Sequence, residues 1–296
     1  MPDSPLAEPP RPGDAESVFV HANGIRLHTV KAGPDGGPLV VLLHGFPEFW
    51  YGWREAIEPL AEAGFRVVVP DQRGYNRSEK PHGVASYRLD ELAGDVVALA
   101  DALGYDAAHV VGHDLGAAVA WWTALHHPDR VRTCTAANVP HPTAMRRRLR
   151  ETWSQRRKSW YVLFFQLPKL PELTVRAGDW WLFVRTMRRS SRPGTFSETA
   201  FDYYRTAWGR PGAIRSMLHW YRAVGRERSE PRTDRVDPPT LVVWGANDEF
   251  LDRELASESV DFCRDGRLEL LSEATHWVQH ERPDRVVALL RDHFDR

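Results

Sequence analysis

Cysteine is scarce in this chain of 296 residues, with only Cys134 and Cys263 present. Both sit in or near apolar runs, which points to two buried thiols rather than a disulfide and offers no zinc-ligand set. Charge of one sign is also missing. Lys and Arg number 39 against 40 Asp and Glu, so no overall field recruits nucleic acid or an anionic membrane. Apolar stretches such as 39–43 are far too short to span a bilayer. The proline-rich N-terminus carries Asp3 and no apolar core, unlike a secretory signal, and a cytoplasmic location is the default expectation. No Gly-x-Gly-x-x-Gly lies between a strand and a helix, so no nucleotide cofactor is expected.

What is there suits a globular α/β protein, with 42% hydrophobic and 27% charged residues. Residues 1–17 read as a disordered leader. Two strand patterns at 18–20 and 25–30 flank Asn23-Gly24, a hairpin signal. Continuous apolar strands follow at 39–43, 65–69, 109–111 and 131–139, separated by helical patterns at 53–63, 89–103 and 115–127. Unbroken apolar runs of this kind suit a parallel sheet covered on both faces. From 140 to 238 the pattern turns helical and rich in Arg and Trp, and strand–helix alternation resumes at 240. The reading is therefore a core from 18–139 and 239–296, with a helical lid from 140–238 inserted between strands six and seven of a mostly parallel eight-stranded sheet. Arg146, Arg147, Arg148, Arg150, Arg156, Arg157 and Lys158 read as a solvated face of that lid, with an anion-binding patch as the alternative.

The most informative stretch is Gly112-His113-Asp114-Leu115-Gly116, between an apolar strand and a helical run. Such a Gly-x-nucleophile-x-Gly turn is the nucleophile elbow of an α/β-hydrolase, which thrusts its central side chain into the open. That residue is usually Ser; here it is Asp114. A carboxylate is anionic at neutral pH, attacks without a base, and leaves an ester on the enzyme. Asp248 follows strand 241–244 and His276 follows strand 268–271, in the chain order nucleophile, acid, His. Side chains gather beyond the carboxyl ends of parallel strands, so Asp114, Asp248 and His276 can converge. The loop His44-Gly45-Phe46-Pro47 supplies the rest: the Phe46 and Leu115 N–H groups make a candidate oxyanion hole. Pro47 fits a cis peptide in a tight turn. Trp50, Pro47, His113 and Trp160 are candidate pocket residues. His280, four residues beyond His276, reads as a surface residue at the start of the last helix rather than a metal ligand, and no metal is expected.

Five motifs carry a resemblance: His44-Gly45-Phe46-Pro47-Glu48, Asp71-Gln72-Arg73-Gly74-Tyr75, the Asp114 elbow, Asn138-Val139-Pro140-His141-Pro142 and His276-Trp277-Val278-Gln279. From about Ser17 onward the chain resembles epoxide hydrolases of the α/β-hydrolase fold. The resemblance implies that Asp114 opens an epoxide to a covalent ester, that His276 and Asp248 activate water, and that two lid tyrosines assist ring opening. Tyr161 and Tyr221 sit in matching local contexts, with Tyr75, Tyr203 and Tyr204 as competitors. It implies a small apolar epoxide and water as substrates, no cofactor, and a monomer or homodimer. A dehalogenase using the same Asp, His and Asp is the alternative, and a non-catalytic binding protein a lesser one. Leu115 stands where many epoxide hydrolases carry Trp, which would widen the pocket floor.

Overall fold

The computed structural model describes residues 8–224, 226 and 233–296. Its spine is an eight-stranded sheet in the order β1-β2-β4-β3-β5-β6-β7-β8. The hairpin β1 (Glu16–Ala22) and β2 (Ile25–Ala32) turns at Asn23-Gly24, both at positive φ. β2 runs antiparallel to β4 (Arg66–Pro70); from there β3 (Leu39–Leu43), β5 (Ala108–His113), β6 (Val131–Ala137), β7 (Thr240–Gly245) and β8 (Gly266–Leu271) are parallel. Every residue of β3, β5 and β7 is buried, which is why these strands show no alternation of apolar and polar residues.

Helices α1 (Arg54–Glu62), α2 (Leu89–Ala102) and α3 (Leu115–His126) follow β3, β4 and β5. Nine of the twelve α3 residues are buried, as its all-round apolar sequence requires. Between β6 and β7 the chain forms α4 (Pro142–Glu151), α5 (Trp153–Lys158), α6 (Trp160–Phe164), α7 (Leu170–Ser190), α8 (Glu198–Gly209) and α9 (Ala213–Val224). Pro142 opens α4, where its missing N–H costs nothing, and Ser197 caps α8 by accepting from the Ala200 amide. Helix α7 is broken at 177–180, where Gly178, Asp179 and Trp180 all take positive φ. The chain then re-enters the sheet and closes with α10 (Glu254–Val260), α11 (Val278–Glu281) and α12 (Pro283–Phe294).

The expected leader differs. Residues 1–7 lie outside the described residues, but β1 begins at Glu16 rather than 18. Ahead of it Ala15 is buried, and Glu8 pairs with Arg77 and Arg210. Ion pairs to distant positions carry no signal in local composition. Cys134 and Cys263 are both buried and free.

The junction of β3, β5 and α3 is tightly packed. A Cβ on Gly116 would lie 2.3 Å from the Leu43 carbonyl oxygen and 2.5 Å from that of His44. Backbone on both sides cannot yield cheaply, so Gly116→Ala lowers unfolding free energy by about 2–3 kcal/mol. Chemical denaturation measures it, and an unchanged midpoint would contradict this packing.

Candidate active site

Asp114 lies between β5 and α3 at φ 49°, ψ −126°, a region that non-glycine residues avoid. The cost of about 1–3 kcal/mol is sustained by the surrounding packing and lifts the carboxylate off the sheet end. Gly45 makes room for it: a Cβ there would stand 2.5 Å from Asp114 Cβ. The Phe46 amide donates to Asp114 Oδ2 at 2.8 Å, across a loop whose Phe46–Pro47 peptide is cis. Leu115, the other expected donor, lines the cavity, but among the described residues its amide makes no hydrogen bond to the Asp114 carboxylate. Oδ1 is left facing His276 Nε2 at 3.7 Å.

His276 reaches the site from the loop after β8. Its Nδ1 donates to Asp248 Oδ2 at 2.8 Å. Asp248 is itself fully engaged: Oδ2 also accepts from Asn138 Nδ2 at 2.7 Å, and Oδ1 accepts from the amides of Phe250 and Leu251. Burial alone would raise its pKa, but the neighbouring His276 and these donors hold it below the usual carboxylate value. For His276 burial opposes protonation, yet Asp248 and Asp114 together outweigh it and push its pKa up to about 10. The resting arrangement is an imidazolium between two carboxylates.

Over this floor opens a cavity of about 1290 Å³ with mostly apolar walls, lined by Asp114, Leu115, Tyr161, Tyr221, Trp122 and Met145 among others. Tyr161 comes from α6 and Tyr221 from α9, with ring centroids 5.9 Å apart and nearly perpendicular. Tyr221 also stands edge-on to Phe46 at 5.0 Å. Neither phenol hydroxyl has a hydrogen-bond partner among the described residues. Burial, reinforced by the Asp114 charge, raises both pKa values, so both remain protonated donors at neutral pH. The competing phenols are placed otherwise. Tyr204 donates to Glu48 Oε1 at 2.7 Å, and Tyr75 is buried against His44 and Trp220. Tyr203 packs on Tyr51.

Four expected pocket residues do not line this cavity. Trp50 is buried, and its amide donates to Asp71 Oδ1. The Pro47 carbonyl accepts from Trp208 Nε1, Trp160 is 62% exposed, and His113 lies fully buried beneath the site. Position along the chain gave their neighbourhood but not the direction in which each side chain points.

His113 belongs to a buried polar cluster with Glu48, Gln279 and His280, and here the reading of His280 as a surface residue is corrected. Its side chain is 1% exposed, and its Nε2 donates to Glu48 Oε1 at 2.6 Å. Gln279 Nε2 donates both to Glu48 Oε2 and to His113 Nδ1, at 3.0 Å each. His113 Nε2 donates in turn to the His276 carbonyl at 2.8 Å. Burial would raise the Glu48 pKa, but His280 and His113 bring it well below the usual carboxylate value. The cluster fixes the backbone that carries His276. Glu48, Gln279 and Asn138 stood inside recognised motifs, yet nothing in those motifs announced a buried anion or its partners.

The chain belongs to the α/β-hydrolase fold family, whose model matches residues 38–283. More particularly, it is 43% identical over 276 residues to the AB hydrolase superfamily protein YfhM of Bacillus subtilis, covering 93% of this chain and 96% of that protein. It is 36% identical over 276 residues to Epoxide hydrolase 1 of Caenorhabditis elegans, covering 92% and 68% respectively. A Bacillus megaterium epoxide hydrolase solved with an inhibitor superposes with a TM-score of 0.86 at 28% identity, covering 94% of this chain and all of that one.

The His276 environment has a direct consequence. Its folded pKa of about 10 lies above the free value of 6.5. Its contribution to stability is therefore full below about pH 6.5 and lost as the pH rises through 10. Asp114→Asn removes one of the two anions and lowers the His276 pKa by about 1 to 3 pH units. Imidazole titration by NMR reads the change; an unaltered pKa would mean that Asp114 exerts no field on the ring.

Proposed function

We propose that this chain hydrolyses small apolar epoxides to vicinal diols through an ester on Asp114; epoxide hydrolysis is the activity in the names of several of its relatives. The observation that carries the reading is the placement of two unpaired phenol donors, Tyr161 and Tyr221, in the same cavity as a strained carboxylate that lines it. An epoxide offers an electrophilic carbon and a strongly basic leaving oxygen on adjacent atoms, and this pairing serves both.

In the first step Asp114 Oδ1 attacks a ring carbon, the C–O bond breaks, and the leaving oxygen takes a proton from a tyrosine. Oδ2, already holding the Phe46 N–H, becomes the carbonyl oxygen of the ester. Alkylation removes the Asp114 charge and with it part of what held the proton on His276. The ring can then pass its proton to restore the tyrosine that ring opening deprotonated, and act as a general base, oriented through Nδ1 by Asp248. Water attacks Asp114 Cγ while its proton passes to His276 Nε2. The Phe46 N–H meets the developing oxyanion. On collapse the departing oxygen takes the proton from His276 Nε2, releasing the diol, and the Asp114 carboxylic acid returns a proton to His276, restoring the carboxylate. The mostly apolar walls favour apolar substituents on the ring.

The test is product analysis on aryl and alkyl epoxides alongside haloalkanes and fluoroacetate. Wild-type protein forms diol, and Asp114→Ala forms none. Tyr161→Phe and Tyr221→Phe each lower the ring-opening rate by about 10²-fold or more, and the double variant by more than either. Halide release without diol formation would move the assignment to dehalogenation and deprive the tyrosines of their acid role.

A further inference from the structure

Nine large apolar side chains are exposed among the described residues; eight lie in the helical insertion and six between Trp153 and Leu173. Those six are Trp153, Trp160, Leu163, Leu167, Leu170 and Leu173, with Trp153 80%, Leu163 74% and Leu173 67% exposed. Single exposed apolar residues are ordinary on a protein surface, but a run of this length on one segment is not. The segment is two-sided. Its inner side chains, Gln155, Phe165 and Val175, are buried, and Phe165 packs on Phe46 and Tyr221. Within α6 the outer row recurs at helical spacing, as in 160 and 163, and Leu167 follows just beyond the helix end.

Charge marks the same segment. Residues 150–176 hold six Arg and Lys against two Asp and Glu, a net +4 in a chain whose overall charge is −1. Several of these cations are uncommitted: Arg150, Arg157 and Arg176 are exposed, and their guanidinium groups make no hydrogen bond or ion pair among the described residues. Arg156 lies over the Trp153 ring at 5.1 Å. Trp and Leu interleaved with Arg is the composition of surfaces that seat in the headgroup region of a bilayer. None of the helices among the described residues is long and apolar enough to cross a membrane.

We propose that the outer face of α5, α6 and the first half of α7 docks on an anionic lipid surface. The arginines meet the headgroups, and Trp153, Leu163 and Leu173 enter the acyl boundary. A second copy of this chain fits less well, because a two-fold contact would set one basic face against another. Trp153 and Leu163 also line the cavity, so its rim opens within the docking face. That this would deliver substrate from the lipid rests on the epoxide reading; the docking itself does not.

Vesicle flotation tests the surface without reference to activity. Wild-type protein floats with phosphatidylcholine vesicles holding about 30 mol % phosphatidylglycerol and stays behind with pure phosphatidylcholine. Tryptophan emission shifts to the blue on binding, and about 0.5 M salt releases the protein. Leu167→Ser/Leu173→Ser and Arg150→Gln/Arg176→Gln, which leave the cavity lining intact, each cut the bound fraction at least about tenfold with unchanged circular dichroism and Tm. Failure of wild-type protein to float, or variants that bind as well as it does, would overturn the proposal. So would a solution dimer that the leucine variant dissociates while neither protein floats.

Discussion

Everything at this site depends on one unfavourable backbone turn. Asp114 is held at positive φ because β3, β5 and α3 close on it from three sides, leaving Gly45 and Gly116 no room for a side chain. A looser junction would let the turn relax and draw the carboxylate back toward the sheet. The same crowding brings the Phe46 amide within 2.8 Å of Oδ2, so one packing constraint both turns the carboxylate toward the cavity and distinguishes its two oxygens. Oδ2 is bound, and Oδ1 faces His276.

The second constraint is electrostatic. His276 stands between two buried carboxylates, and the sum of their fields, against the cost of burial, sets its pKa near 10. Such a ring is a poor base while Asp114 is charged and a better one once that charge is lost to an ester. The order of the proposed chemistry is thus written into the charges. Behind the ring, Asp248 is fixed by Asn138 and two backbone amides, and the His276 carbonyl is tied through His113 and Gln279 to Glu48. Few degrees of freedom remain for the imidazole.

Much of this was legible in the sequence because it is local. The Asn23-Gly24 turn, the apolar strands and the elbow glycines are each written in a few consecutive residues. Chain order alone then predicted that Asp248 and His276 would meet Asp114. What was hidden is non-local. The burial of His280 comes from Glu48, far away in the chain, and a one-turn helix gave no amphipathic pattern to betray it. Side-chain direction misled the reading of Trp50, Pro47 and Trp160, whose neighbourhood was right but whose side chains do not line the cavity. The break in α7 falls at Gly178-Asp179, but it also carries Trp180 at positive φ, a conformation that a tryptophan's own preference does not announce. The arginine-rich stretch was visible from the start, but only the exposure of the interleaved Trp and Leu gives it a face.

The central claim is that a bond forms between substrate and Asp114. A single turnover in H2(18)O, with enzyme in excess over an aryl epoxide, tests it most directly. If water attacks the Asp114 carboxyl carbon, mass spectrometry finds one heavy oxygen in the peptide bearing Asp114, and the first diol is unlabelled. Label in the diol with an unlabelled Asp114 would mean that water opens the ring directly, and the ester mechanism would be wrong.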